Sequence, residues 1–212
     1  MLRPVPLDPH LLLAFLLAAL VLIATPGPDM LFMLGQTLAG GTRRGWAALA
    51  GIVTGAMVHV ALAVSGVAAL VAASPALFGA LQVAGAFYLL WLAWGALRAA
   101  WRGGGGVRPA APVRHAFRDG LLTNLTNPKA ILFFLAFLPQ FVDPGRAPAW
   151  VQMALLGPLA PLMCVPIYGL LIAGAGRAAS RLAAQARWLD GLAGLLFLGL
   201  GIRLLLGQRA AA

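Results

Sequence analysis

An aspartate behind two helix breakers, inside an otherwise apolar run, is where chemistry first shows in this chain: Thr25-Pro26-Gly27-Pro28-Asp29-Met30-Leu31-Phe32. The pattern returns one hundred positions later as Thr126-Asn127-Pro128-Lys129-Ala130-Ile131-Leu132-Phe133, with a charge of the opposite sign. A carboxylate and an ammonium brought together suit a zwitterionic ligand. Proline has no backbone donor and fits the first turn of a helix, so Pro28 and Pro128 each start a half-helix whose free N–H groups face the break. Such helix starts carry partial positive charge and favour a carboxylate. Thr25 and Asn127 stand close enough to act as caps. On this reading Asp29 takes a ligand ammonium, while Lys129 and the half-helix ends take its carboxylate. The other reading pairs Asp29 with Lys129 as a tie between the two breaks, although desolvation can exceed the Coulomb gain of a buried pair. A carboxylate that loses its partner away from water takes up a proton. Asp29 is therefore also the candidate for proton coupling.

The elements that must position these residues follow from composition. Of 212 residues 62% are hydrophobic and 9% charged, with no Glu and one Lys, against about 25% charged in soluble domains, so much of the surface meets something other than water. In hydrocarbon, broken backbone and ionisable side chains survive only inside protein or along a cavity. Six stretches approach the roughly 20 apolar residues of a membrane span, at 11–38, 46–71, 77–97, 121–142, 150–174 and 188–206. The connections are 39–45, 72–76, 98–120, 143–149 and 175–187, and the Gly/Pro-rich third reads as a flexible linker. Residues 1–24 resemble a signal peptide, but the Pro/Asp stretch runs on into more apolar sequence, which favours an uncleaved first span.

The expected fold is an all-α integral membrane protein of six transmembrane helices. Three spans per half make the halves inverted, and the breaks fall in spans one and four. Residues 1–97 form the first three-helix repeat, 98–120 a basic Gly/Pro-rich cytoplasmic linker, and 121–212 the second repeat. Inverted repeats with interrupted helices at matching positions point to a secondary transporter with a midplane site. Ten arginines lie in the first, third and fifth connections, against Arg3, Arg146, Arg203 and Arg209 on the opposite side. The positive-inside rule then places both termini on the non-cytoplasmic side. The net charge of +10 is thus accounted for by loops between spans rather than by a nucleic-acid surface. Trp46, Trp101, Trp150 and Trp188 flank spans as interfacial anchors.

Other residues carry two readings each. Gly51-x-x-x-Gly55-x-x-x-His59 shares one helix face, where the glycines admit a neighbouring helix. His59 is then a hydrogen-bonded core residue or a proton or substrate relay. Gly157, Pro158, Pro161, Pro166 and Gly169 predict a bent fifth span, as a gate or as a static kink. Tyr88, Trp91 and Trp94 line a cavity or serve packing. Cys164 reads as a small buried side chain, and a single cysteine excludes an intramolecular disulfide. An enzyme finds little support. There is no P-loop and no Gly-x-Ser-x-Gly stretch, and His10, His59 and His115 lack a metal-ligand spacing. No cofactor is implied.

Ala24-Thr25-Pro26-Gly27-Pro28-Asp29, Gly41-Thr42-Arg43-Arg44-Gly45 leading into Gly51-x-x-x-Gly55, and Phe117-x-x-Gly120-x-x-x-Asn124-x-x-Asn127-Pro128-Lys129-Ala130 together resemble the LysE/RhtB family of amino-acid exporters. The resemblance covers nearly the whole chain. It implies efflux of amino acids across the bacterial cytoplasmic membrane, driven by protons or membrane potential, by a homodimer or larger homo-oligomer in the lipid bilayer. Its motif residues fall on Pro26, Gly27, Pro28, Asp29, Asn124, Asn127, Pro128 and Lys129. The expected substrates are small neutral or cationic amino acids, threonine-, homoserine- or lysine-like. A divalent-cation exporter and a non-transporting membrane scaffold using the Gly51/Gly55 face stand as alternatives.

Overall fold

A computed structural model of the protein describes residues 6–67, 74–103 and 114–209, and the regular structure among them is helical. Asp8 starts α1 (Pro9–Ala24): its carboxylate accepts the amides of His10 at 2.9 Å and Leu11 at 3.1 Å, and Pro9 fills the first helical position. The helix stops where Thr25, ahead of Pro26, turns extended at φ −72° and ψ 123°. Gly27 and Pro28 then open α2 (Pro28–Leu62), which passes into a π-helical turn at Ala63–Val67.

The connection expected at 39–45 is a kink rather than a loop. Within α2 only Gly40 and Gly41 leave helical dihedrals. Gly41 at φ 77° and ψ 179° occupies a region reserved almost wholly for glycine. Helix α3 (Pro75–Trp101) runs past the expected linker start at 98, and α4 (Ala116–Leu125) begins before its expected end at 120. Most of the Gly/Pro run, 104–113, lies outside the described residues, as does 68–73.

The helix break expected ahead of Pro128 is present. Thr126 and Asn127 separate α4 from α5 (Pro128–Leu132), and the axis bends by 52° between Ala116–Leu125 and Pro128–Phe141. After α5 the chain widens into a π-helical turn at Phe133–Phe137 and tightens into a 3-10 turn at Leu138–Phe141. Pro139 sits where an α-helical ladder would need a donor. Helices α6 (Ala149–Leu156) and α7 (Leu159–Ala173) meet at Gly157-Pro158, while Pro166 is carried inside α7. The connection expected at 175–187 is helical and opens α8 (Ala175–Arg209). Its alanines and arginines favour helix, and no proline stops it.

Among the described residues, three helices are long and apolar enough to cross a membrane, four if the bent pair counts as one span. Two buried clusters flank the breaks. On one side Phe15 of α1 packs with Phe133, Phe134, Phe137 and Phe141, the Phe15 and Phe141 rings meeting edge-on at 5.3 Å. On the other, Met30, Met33, Leu49 and Ile52 of α2 pack with Cys164, Tyr168 and Ile172 of α7. Helix α3 packs along α8 through Leu89, Ala93, Ala193 and Phe197. The second half of α2 lies against α4 backbone to backbone: a Cβ on Gly51 would overlap the Phe117 carbonyl, and one on Gly120 would come 2.5 Å from the Ala48 carbonyl.

Candidate functional site

The two breaks meet, and each supplies the partner of the other's charge. Asp29, in the first turn of α2, accepts a hydrogen bond through Oδ2 from Asn124 Nδ2 at 2.9 Å. Asn124 lies in the last turn of α4, just before the second break. Lys129, in the first turn of α5, donates through Nζ to the carbonyls of Leu22 at 2.6 Å and Thr25 at 3.0 Å, at the end of α1. Ion pairs among the described residues include Arg118 with Asp119 and Arg146 with Asp8 and Asp143, whereas Asp29 and Lys129 do not pair directly.

The caps divide unevenly. Asn127 performs the expected N-cap, its Oδ1 accepting the Lys129 amide at 3.0 Å. Thr25 instead closes the helix before the first break: its amide and hydroxyl both donate to the Val21 carbonyl, at 3.0 and 2.6 Å. The last carbonyls of a helix have no intrahelical donor. Here Thr25 takes Val21, Lys129 takes Leu22, and Tyr168 Oη reaches Ile23 at 3.5 Å. A cation at this end also answers the helix dipole.

A cavity of about 70 Å³ opens between the breaks, several times the space a water needs. Gly27, Asp29, Asn124, Asn127 and Lys129 form its polar part. Its apolar walls come from Leu22 and Ile23 of α1, Ile52, Val53 and Ala56 of α2, Phe134, and Ala160, Pro161, Cys164 and Tyr168 of α7. Pro26, Pro28 and Pro128 shape the breaks without lining the cavity.

Three buried polar atoms here have no protein partner: Asp29 Oδ1, Asn124 Oδ1 and His59 Nδ1. Buried polar atoms are nearly always satisfied, so an unmatched group beside a polar cavity calls for a ligand, a proton or water. His59 stacks on Phe134 at 6.1 Å and contacts the Asn124 carbonyl through Nε2 at 3.2 Å. A carbonyl only accepts, so Nε2 is the donor here and Nδ1 is the ring nitrogen left without a protein partner. His59 thus reaches Asp29 through one residue, Asn124. Gly55 makes room for this arrangement, since a Cβ there would lie 2.8 Å from Asn124 Oδ1.

Reasoning from the sequence missed Tyr168 and the Leu22 carbonyl, and gave Cys164 no place in a site. A signal was present: Ala160, Pro161, Cys164 and Tyr168 follow helical spacing on one face of the bent span. The aromatic stripe of α3 stands apart, and Trp91 and Trp94 are exposed.

The LysE type translocator family matches residues 20–208. A Pseudomonas aeruginosa protein described as an uncharacterized membrane protein is 36% identical over 199 residues, 90% of this chain and 92% of the other. The leucine efflux protein of Enterobacter sp. (strain 638) is 32% identical over 198 residues, with 90% and 92% covered. That of Salmonella typhimurium is 31% identical over 195 residues, with the same coverage. No solved structure matches.

Proposed function

The chain belongs to the LysE type translocators, and from that membership and the cavity between its breaks we infer that it exports neutral, leucine-like amino acids as a proton-coupled secondary transporter. The observation that carries this reading is a carboxylate with one oxygen held by Asn124 and the other unmatched, inside a cavity whose remaining walls are mostly apolar. Relatives named for leucine efflux support the aliphatic substrate, as do Ile52, Val53, Ala56 and Phe134 in the wall. With Asp29 and the substrate carboxylate already matched by the substrate ammonium and Lys129, a lysine-like side chain would add a cation that no carboxylate answers, so the neutral class is preferred.

In this reading the six spans form two inverted three-helix repeats in the cytoplasmic membrane, with both termini on the non-cytoplasmic side and the chain in a homo-oligomer. The reciprocal contacts support the repeat, since the charge after each break is held by groups that precede the other break. Pro26, Gly27, Pro28, Asn127 and Pro128 shape the substrate site, and Lys129 answers the substrate carboxylate. Asp29 carries the coupling proton, with His59 as a second candidate proton site held beside it by Asn124. Deprotonated Asp29 draws a proton or a substrate ammonium, and export follows from the competition between them.

The test is leucine efflux from proteoliposomes under an imposed pH gradient. Asp29→Asn is expected to insert normally, to lose the response to the gradient and to lose most flux. Gradient-driven efflux equal to wild type in that variant would end the assignment of Asp29.

A further inference from the structure

We propose that the carbonyls of Leu22 and Thr25 are the ammonium subsite of the transported amino acid, and that Lys129 is a tethered occupant which the substrate displaces by drawing it onto its own carboxylate. The proposal deepens the export reading and rests on it for the identity of the ligand.

The geometry fits any primary ammonium. Two carbonyls converge on one nitrogen at 2.6 and 3.0 Å, at the end of a helix where carbonyls lack donors and the dipole favours a cation. An alkylammonium has three donors, so these two contacts leave one for a further acceptor. Lys129 reaches this place from the opposite break, and its side chain lines the cavity together with Leu22 and Gly27. Gly27 borders the ammonium directly: a Cβ there would lie 3.6 Å from Nζ, in ordinary van der Waals contact. Asp29 lines the same cavity with Oδ1 buried and unmatched, so its charge faces the ammonium position across the cavity without bonding to it directly.

Charge arithmetic then selects the ligand. Without substrate, Lys129 and a deprotonated Asp29 cancel. A zwitterion adds no net charge, takes the two carbonyls with its ammonium and gives Lys129 its carboxylate in exchange. An amine lacking the carboxylate would set two cations side by side and offer Lys129 nothing. A carboxylate lacking the amine would pull Lys129 away and leave two carbonyls bare. Each mismatch forfeits one or two charge-assisted hydrogen bonds, which corresponds to roughly ten- to hundredfold in affinity.

The experiment compares leucine with its two halves, 3-methylbutylammonium and 4-methylpentanoate. In wild-type proteoliposomes, neither half should compete with labelled leucine in counterflow at less than about tenfold the leucine concentration. In purified full-length Lys129→Met, where the tethered cation is gone, 3-methylbutylammonium should raise the unfolding temperature in detergent while leaving wild type unmoved. A lysine that serves only structure would not produce that inversion. Leucine counterflow in wild type with no response of the variant to the amine overturns the subsite and leaves the export reading standing. Absent leucine counterflow with an amine-responsive variant supports the subsite and ends the export reading. If Lys129→Met does not fold, the wild-type competition decides: 3-methylbutylammonium competing as well as leucine overturns the proposal.

Discussion

Gly55→Ala tests whether the α2–α4 contact holds the site in register. A Cβ at Gly55 would stand 3.0 Å from the Asn124 Cβ and 2.8 Å from its Oδ1. Turning the Asn124 side chain relieves the second clash but not the first, because the Cβ position belongs to the backbone. Helices α2 and α4 must therefore move apart by several tenths of an ångström. They have little freedom to do so, since Gly51 and Gly120 already bring their backbones together. Overpacking of this kind costs about 1–3 kcal/mol of stability. The functional cost is separate. The Asn124–Asp29 bond, 2.9 Å now, lengthens beyond useful range, and a hydrogen bond to a charged group is worth about 1.5–3 kcal/mol, or roughly ten- to hundredfold in rate if it is needed in the cycle. The assay is the initial rate of labelled-leucine counterflow in proteoliposomes, normalised to inserted protein, with the unfolding temperature in detergent measured in parallel. Thr54→Ala is the control, because Thr54 is exposed on the same helix and its hydroxyl only returns to the Ala50 carbonyl. A Gly55→Ala protein that transports at the wild-type rate would refute the argument that this glycine protects the Asn124–Asp29 contact.

Two further outcomes follow from single residues outside the cavity. Gly41→Ala should lower stability by about 1–3 kcal/mol through backbone strain alone, because the new Cβ would meet no packing neighbour within 4 Å. Gly95→Ala, equally open but helical, should be neutral or slightly stabilising, and a similar loss at both positions would contradict the reasoning. The Leu11 amide foremost, then the His10 amide and Arg146, hold the Asp8 carboxyl below its ordinary 3.8 against the opposing pull of desolvation. A lowered folded value means the stabilisation is complete above about pH 4 and fades as pH falls through that lower value. The difference in unfolding temperature between wild type and Asp8→Ala should therefore be flat from pH 5 to 8 and shrink only in stronger acid. A difference that grows on acidification would reverse the assigned sign.

What could be read from sequence divides along a physical line. Prolines and glycines act locally, so the breaks at Pro28 and Pro128, the Asn127 cap and the interruption at Gly157-Pro158 were legible. The helical start of α8 was hidden because its arginines marked a polar connection, whereas arginine is also a good helix former and chain direction does not depend on charge. At 39–45 a single left-handed glycine redirects the chain, and two glycines with two arginines look the same as a loop. Partnership across the site was the least legible. Opposite charges at matching places suggested a pair, but nothing in the order of residues reveals that backbone carbonyls at the end of α1 outbid a carboxylate for Lys129.

That preference has a reason, and it bears on mechanism. If Lys129 closed directly on the free Oδ1 of Asp29, Asn124 would keep its bond to Oδ2 but Leu22 and Thr25 would keep two carbonyls without donors. Two groups would be left wanting for the sake of one ion pair. The crossed arrangement satisfies the carbonyls and half of Asp29, and leaves the unmatched capacity at Asp29 Oδ1, beside the cavity. A direct pair would resist substrate, since separating buried charges costs several kcal/mol. Exchanging one ammonium for another at the same two carbonyls changes neither the number of hydrogen bonds nor the net charge, so a zwitterion can enter with little electrostatic barrier. A transporter must bind and release in every cycle, and under the proposed displacement the crossed breaks would let a zwitterion enter without first separating a direct ion pair.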